Sequence, residues 1–164
     1  MMINLQRNPA EEIGNLLREL FYIWQGEEIR ITEQLGITMG ELECLRQFLH
    51  TPQLPIKDLL KLSDFNSSRL SKVLDQLEDN GYINRSIDQK DRRNTFVTLS
   101  EKGKMAVLEI QTHMTRFYQP ILEQLPSELN AFAILTLREI LDVLHQRMET
   151  SPLEENNLSE NYNI

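Results

Sequence analysis

The chain has 164 residues, of which 40% are hydrophobic, so it can bury the core of one compact domain. It contains no run near the roughly 20 apolar residues of a membrane-spanning helix, and its N-terminus lacks the residue order of a signal peptide. The single cysteine cannot form an internal disulfide, which fits a reducing compartment. Together these features predict a cytoplasmic protein that does not associate with membranes.

The formal net charge of -8 is distributed unevenly along the chain. Residues 57–104 contain ten Lys or Arg and eight Asp or Glu, whereas the rest of the chain contains seven and seventeen. Exposed charges act mainly within a Debye length of about 8 Å at physiological ionic strength. The acidic total therefore does not exclude an anionic partner for residues 57–104.

The first predicted helix begins at Pro9, because Asn8 can cap it and proline is favoured at the first helical position. It continues toward Gln34, and Gly26 is a weak point in its middle. Its apolar residues recur at helical spacing and are Ile13, Leu16, Leu17, Leu20, Phe21, Ile23 and Trp24.

The second predicted helix follows Thr38, which can form a capping box with Glu41, and it ends near His50. A third, short helix covers residues 56–62. The turn after it carries one large apolar residue, Phe65, which we expect to fill the space between this helix and the next. Short helices joined in this way indicate a helix-turn-helix.

The fourth predicted helix, residues 66–80, begins at the cap residue Asn66 and ends before Gly81, which suits the left-handed conformation past a helix end. Its apolar face consists of Leu70, Val73, Leu74 and Leu77. Small hydroxyl groups and two cations occupy the opposite face, and they are suited to DNA bases and phosphates. These predicted DNA contacts are Ser67, Ser68, Arg69, Ser71 and Lys72.

Two strand-like runs, residues 82–87 and 94–99, flank the charged loop 88–93 and predict a β-hairpin. A helix followed by a hairpin with a basic tip suits duplex DNA, because the helix can enter the major groove while the loop reaches a phosphate or the minor groove. The cations of this tip, predicted to contact DNA, are Lys90, Arg92 and Arg93. The alternative is a solvated hairpin tip, where charge is normal.

A long helix, residues 101–119, follows Ser100 as its cap, and Pro120 is expected to kink or interrupt it. A last helix covers residues 128–148, and the acidic tail 149–164 is predicted to be disordered. The apolar positions predicted for the long helix are Met105, Leu108, Met114, Phe117 and Tyr118.

The first and last helices carry more apolar surface than a small domain can cover, which predicts a two-fold homodimer. Residues 1–36 and 101–148 are thus assigned to dimerisation, and residues 37–100 to a DNA-binding lobe. The predicted fold is mainly α with a small β-hairpin, a winged helix-turn-helix flanked by N- and C-terminal dimerisation helices.

The segment D-Q-L-E-D-N-G-Y-I-N-R, followed by D-Q-K-D-R-R-N-T-F-V-T-L-S-E-K-G, resembles the MarR family of transcription regulators, including its SlyA-like members. The family pattern is L-E-x-x-G, two hydrophobic residues and x-R, then D-x-x-D-x-R, then a strand ending in L-[TS]-x-x-G. The matching residues are Leu77, Glu78, Gly81, Tyr82, Ile83, Arg85, Asp88, Asp91, Arg93, Leu99, Ser100 and Gly103. The resemblance covers residues 10–148.

The resemblance implies a homodimer that binds a near-palindromic duplex site, usually as a repressor, through the fourth helix and the wing. It matches Arg93 to the family's minor-groove arginine, Asp91 to the acid that pairs with it, and Arg85 to the arginine after the recognition helix. It also implies that the protein is released from DNA by a small ligand or an oxidant, which acts where the dimerisation helices meet the DNA-binding lobe. The chain departs from the family at Ser63, where an aliphatic residue is usual.

Candidate residues for an effector pocket are Tyr22, Trp24, Met39, Cys44 and Phe117. Aromatic and Met side chains at helical spacing more often pack in a core, and core packing is also the simpler interpretation of Cys44, with redox sensing left open. The three histidines lie far apart in the sequence, so neither a metal site nor another cofactor is expected.

Enzymatic activity is not predicted, because the sequence shows no nucleophile-base signature and no glycine-rich phosphate loop. The alternative to DNA binding is a winged-helix module that binds protein. The acidic total favours that alternative, whereas the basic hairpin tip opposes it.

Overall fold

The structure, a computed structural model, describes residues 8–87 and 94–150. Within these ranges it contains six helices and one antiparallel sheet of three short strands, which confirms the predicted winged-helix architecture. None of these six helices is long and apolar enough to cross a lipid bilayer. The elements are α1 (Pro9–Leu35), α2 (Met39–Arg46), β1 (Gln53–Pro55), α3 (Ile56–Leu62), α4 (Ser67–Asp79), β2 (Ile83–Ile87), β3 (Thr95–Leu99), α5 (Glu101–Gln124) and α6 (Ser127–Thr150).

The chain forms two compact units that divide between Thr115 and Arg116. The first unit contains every element from α1 to the first part of α5, and the second contains the end of α5 and all of α6. The core of the first unit combines the predicted apolar faces of α2 and α4 with residues from α1, the sheet and α5. Its most deeply buried side chains include Ile31, Leu42, Leu45, Leu59, Leu74, Leu77, Ile83, Val97 and Ile110.

The helix starts follow the predicted caps. The Asn8 side chain accepts a hydrogen bond from the amide of Ala10, and the Thr38 and Glu41 side chains complete both halves of a capping box. Glu41 is buried, and its other carboxylate oxygen accepts a hydrogen bond from the Asn80 side-chain amide at 3.3 Å, which compensates for the loss of water. The cap of α2 therefore also holds the end of α4.

Helix α2 is shorter than predicted, since it ends at Arg46 and not near His50. Beyond it the chain continues in tighter turns, in which the amide of Phe48 donates to the carbonyl of Leu45 at 3.0 Å. Tightening of this kind satisfies carbonyl groups at a helix end, and it still directs the Phe48 ring into the core.

Strand β1 was not predicted. It pairs antiparallel with β3 from Gln53 opposite Thr98 to Pro55 opposite Phe96, on the side of β3 away from β2. Three residues are too few to show an alternating pattern, and proline is tolerated only at a sheet edge. The strand exists because β3 offers it a free edge, which the sequence of residues 53–55 does not reveal.

Helix α5 continues past its predicted end near Gln119 to Gln124. The helix is not interrupted at Pro120, because Arg116 and Pro120 are both exposed and water can reach the carbonyl that loses its helical hydrogen bond. Met105 and Leu108 face outward within the first unit. The face of α5 that is buried in the first unit is formed by Gly103, Ala106, Val107 and Ile110.

Small residues form this face because α5 begins directly against the base of the hairpin. A Cβ atom on Gly103 would lie 2.0 Å from the carbonyl oxygen of Tyr82. That oxygen accepts hydrogen bonds from the amide and the hydroxyl of Ser100, whose hydroxyl oxygen in turn accepts from the Gly103 amide. The start of α5 therefore fixes the position of the hairpin relative to the core.

Candidate nucleic-acid interface

Helix α4 presents a polar, exposed face over its first two turns. Its predicted contact residues Ser67, Ser68, Arg69, Ser71 and Lys72 are all exposed, whereas Leu70, Val73, Leu74 and Leu77 are buried as predicted. The side chain of Asn66 caps the helix by accepting a hydrogen bond from the Arg69 amide at 2.8 Å. With 13 residues the helix is about 20 Å long, and a DNA major groove about 12 Å wide admits such a helix.

The Arg69 side chain is supported by Phe65, the residue expected to fill the helix-turn-helix. Phe65 is buried, and the guanidinium carbon of Arg69 lies 4.7 Å from the centre of its ring. Stacking of a guanidinium on an aromatic face limits its orientations without using its hydrogen-bond donors. Within residues 8–87 and 94–150 no acceptor binds the Arg69 guanidinium, so its donors can bind a planar acceptor such as the edge of a guanine.

The predicted hairpin is present, with β2 and β3 paired antiparallel from Ile83 opposite Leu99 to Ile87 opposite Thr95. Its connection, residues 88–93, lies outside the described residues. The predicted contacts that fall there are Lys90, Asp91, Arg92 and Arg93, and their roles stay predictions. One further cation lies where β3 begins, at the end of the hairpin next to residues 88–93, because Lys57 of α3 donates to Asn94 Oδ1 at 3.2 Å. Lys57 is not among the contacts predicted from the sequence.

Arg85 differs from the other predicted contacts because its charge is already paired. Its Nη2 atom lies 2.7 Å from Asp75 Oδ1 and its Nε atom 3.4 Å from Glu78 Oε2, both on α4. The Glu78 carboxylate also accepts a hydrogen bond from the backbone amide of Arg85 at 3.0 Å. Neither Asp75 nor Glu78 was predicted as a partner of Arg85, although Glu78 is part of the quoted family pattern.

The structure brings together only two of the five candidate effector residues. Trp24 and Met39 line a surface groove of about 380 Å³ between α1, α2 and the turn before α4. Tyr22 is highly exposed, Cys44 is buried in the core, and Phe117 belongs to the second unit. The remaining lining residues are charged, and they are Glu28, Glu43, Arg46, Asp64 and Arg69.

Two interactions inside this groove fix Arg46. Its guanidinium is paired with the buried carboxylate of Glu28 and lies 5.7 Å from the centre of the Trp24 ring. Neither Glu43 nor Asp64 forms a salt bridge with another described residue. The groove therefore offers an aromatic wall beside a mixed charged lining, in which Glu43 and Asp64 form no salt bridge with another described residue and Arg69 is a further cation.

Cys44 lies in the core, which agrees with the simpler of its two interpretations. Burial, reinforced by the neighbouring Glu43 carboxylate, raises the pKa of its thiol from 9.0 to about 12. The reactive form of cysteine is the thiolate, which is scarce at neutral pH in such a site. This environment opposes oxidant sensing by Cys44.

Comparisons with known proteins agree with the geometry. Residues 37–95 match the model of the MarR family. The chain is 26% identical over 114 residues to the HTH-type transcriptional regulator YdgJ of Bacillus subtilis, covering 67% of this chain and 70% of YdgJ. It is 27% identical over 92 residues to the HTH-type transcriptional repressor Rv2887 of Mycobacterium tuberculosis, covering 56% of this chain and 66% of Rv2887.

Solved structures show the same fold. The S. aureus MepR–DNA complex superposes with a TM-score of 0.62 at 22% identity and covers 80% of this chain and 98% of MepR. NadR in complex with 4-hydroxyphenylacetate gives a TM-score of 0.63 at 24% identity and covers 88% of this chain and 97% of NadR. The match over residues 37–95 and the named relatives support a MarR-family winged-helix transcription regulator, and the solved structures agree with this in fold.

Proposed function

We propose that the protein acts as a homodimeric repressor that binds a near-palindromic duplex site and so competes with transcription. The first half of α4 enters the major groove, and the wing, residues 88–93, contacts the adjacent minor groove. The carrying observation is the exposed polar face Ser67–Lys72 on a helix whose opposite face is buried. Because the target is chromosomal DNA, we place the protein in the cytoplasm. Whether it is SlyA-like stays a prediction.

The charges along α4 support insertion of its N-terminal half. The two cations Arg69 and Lys72 lie in the first half, and the first turn contains no acid. Helix N-termini carry a partial positive charge and unpaired amides, both of which favour phosphate. In the wing, residues 88–93, three cations outnumber two acids and add a net charge of +1 to the same lobe; the cations are Lys90, Arg92 and Arg93.

Exposed apolar residues support the homodimer. Helix α6 has no fully buried residue among those described, and it exposes nine large hydrophobic side chains over 24 residues. The first half of α1 exposes a second apolar set that includes Ile13, Leu16 and Leu20. Apolar surface of this extent marks an interface, and a two-fold partner matches the symmetry of a palindromic site. We therefore assign dimerisation to α1 and α6.

The groove at Trp24 is our proposed site for a small-molecule effector. A ligand that combines an aromatic ring with a positive charge fits it, because Trp24 and Met39 offer an apolar surface beside an excess of negative charge. Among the described residues, the two carboxylates outside a salt bridge, Glu43 and Asp64, outnumber the one such cation of the lining, Arg69. Asp64 and Arg69 lie beside the N-terminus of α4, so a bound ligand alters the surface that contacts DNA. NadR with its bound 4-hydroxyphenylacetate is a precedent for ligand binding on this fold.

DNA binding is tested by selecting genomic fragments with the purified protein and then measuring fluorescence anisotropy with one selected and one scrambled duplex at several salt concentrations. We expect the selected duplex to bind at least about 1,000-fold more tightly. The alternative, a winged-helix module that binds protein, is supported if neither duplex binds even at low salt.

Effector binding is tested separately through Trp24, the only tryptophan in the sequence. Its fluorescence should change on titration with aromatic amines and should not change with aromatic carboxylates. Glu43→Gln should weaken the response to amines. A response to carboxylates alone would contradict the assigned ligand class.

A further inference from the structure

The ion pairs of Arg85 join the two elements that our proposed function places on DNA. Arg85 stands on β2, the strand that leads into the wing, and both its carboxylate partners stand on α4. The backbone amide of Arg85 is also bound to Glu78, so this connection involves the strand itself as well as its side chain. A rotation of α4 relative to β2 would break all three contacts.

Apolar packing alone does not fix α4 on this side. A partly open hollow of about 120 Å³ lies between the first two turns of α4, α3 and Arg85, and its lining includes the exposed Ser67 and Ser71 as well as the apolar residues Ile56, Leu60, Leu70 and Leu74. An unfilled space removes contacts that would otherwise resist a shift of the helix. The orientation of α4 therefore depends more strongly on the polar contacts at Asp75 and Glu78.

The same contacts make Arg85 a poor ligand for DNA phosphate. Its side chain is only 24% exposed, and two carboxylates on α4 balance its charge. Binding a phosphate would require separating an existing ion pair, and the release of counterions from DNA would be offset by that loss.

We propose that Arg85 is a positioning residue, which holds the recognition helix at a fixed angle to the wing and does not itself contact DNA. This revises the prediction that Arg85 belongs to the contact set, and it rests on the proposed function. Sequence readout requires base-contacting side chains to be placed accurately, whereas phosphate attraction tolerates small displacements. Loss of Arg85 should therefore reduce specificity more than general affinity.

The test compares Arg85→Gln, Asp75→Asn and the double variant on the selected and scrambled duplexes. The two single variants change the protein charge in opposite directions, so a purely electrostatic effect on DNA binding has opposite signs in them. A positioning role instead predicts that both single variants bind the selected duplex more weakly. We expect each to bind the selected duplex about 3- to 10-fold more weakly, with unchanged binding to the scrambled duplex. The double variant should be no weaker than the single ones.

Salt dependence separates positioning from contact. Arg85→Gln should leave the slope of log affinity against log salt unchanged, whereas Lys72→Gln, a proposed contact, should lower it by about one per subunit. Arg85→Lys retains the charge and should still lose specificity, because lysine cannot form the same forked pair. A lowered slope in Arg85→Gln, together with tighter binding by Asp75→Asn, would overturn the proposal.

A measurement without DNA keeps this inference distinct from the proposed function. Amide hydrogen exchange in residues 67–79 should be faster in Arg85→Gln and Asp75→Asn than in the wild type. The control is Gln76→Ala, an exposed position on the same helix, which should exchange like the wild type. If wild-type protein binds neither duplex, the proposed function fails, and exchange still decides the positioning role. Unchanged exchange in both charge variants would refute it.

Discussion

Replacing Gly103 by alanine tests whether the start of α5 sets the position of the wing. The added Cβ atom would lie 2.0 Å from the Tyr82 carbonyl oxygen and 3.1 Å from Leu99 Cδ2. A relaxed carbon–oxygen contact is about 3.3 Å or longer, so the helix and the hairpin base must separate by more than about 1 Å. Overpacking costs about 1–3 kcal/mol, and weakening the two hydrogen bonds from Ser100 costs about 0.5–1.5 kcal/mol each.

Alanine is favoured over glycine inside a helix by up to about 1 kcal/mol, which offsets part of this cost. We therefore expect Gly103→Ala to lower the free energy of unfolding by about 2–4 kcal/mol. Urea denaturation at one fixed protein concentration measures it, since the stability of a dimer depends on concentration. Gly26→Ala is the matched control, because a Cβ atom there meets nothing within 4 Å, and it should stabilise by about 0.5–1 kcal/mol. If Gly103→Ala costs less than 1 kcal/mol, the close contact does not fix the hairpin.

Three further predictions concern the cap of α4, the buried thiol and the dimer. Asn66→Ala should lower the free energy of unfolding by about 1 kcal/mol in urea denaturation and weaken DNA binding, because the first-turn amide of Arg69 loses its acceptor. Folded Cys44 keeps its proton to about pH 12 while the unfolded thiol titrates near its ordinary pKa of 9.0, so unfolding releases a proton between these values and stability falls as pH rises. The fall between pH 9 and 10.5 should be smaller in Cys44→Ala, and folded wild type should resist alkylation at pH 8. Leu141→Glu on the apolar surface of α6 should shift sedimentation toward monomer, whereas Gln146→Glu should not.

Sequence patterns predicted those parts of the fold that local physics determines. The capped helices and the hairpin follow from residues such as Thr38, Asn66 and Gly81, whose effects act within a few positions. Strand β1 and the outward direction of Met105 depend on contacts with distant segments, so no local pattern revealed them. For the candidate site, the exposed face of α4 was predictable from helical period, whereas the pairing of Arg85 with Asp75 required knowing that β2 lies beside α4.

The charge order of α4 explains how an acidic protein can present this helix to DNA. Its first half carries two cations and no acid, and its second half carries the three acids Asp75, Glu78 and Asp79 and no cation. A helix lying flat along the groove would bring those acids against phosphate, which like-charge repulsion disfavours. Entry by the N-terminus avoids this, and the pairing of Arg85 with two of the acids reduces the remaining repulsion. Base readout should therefore come from residues 67–72, while the second half of α4 serves to hold that end in place.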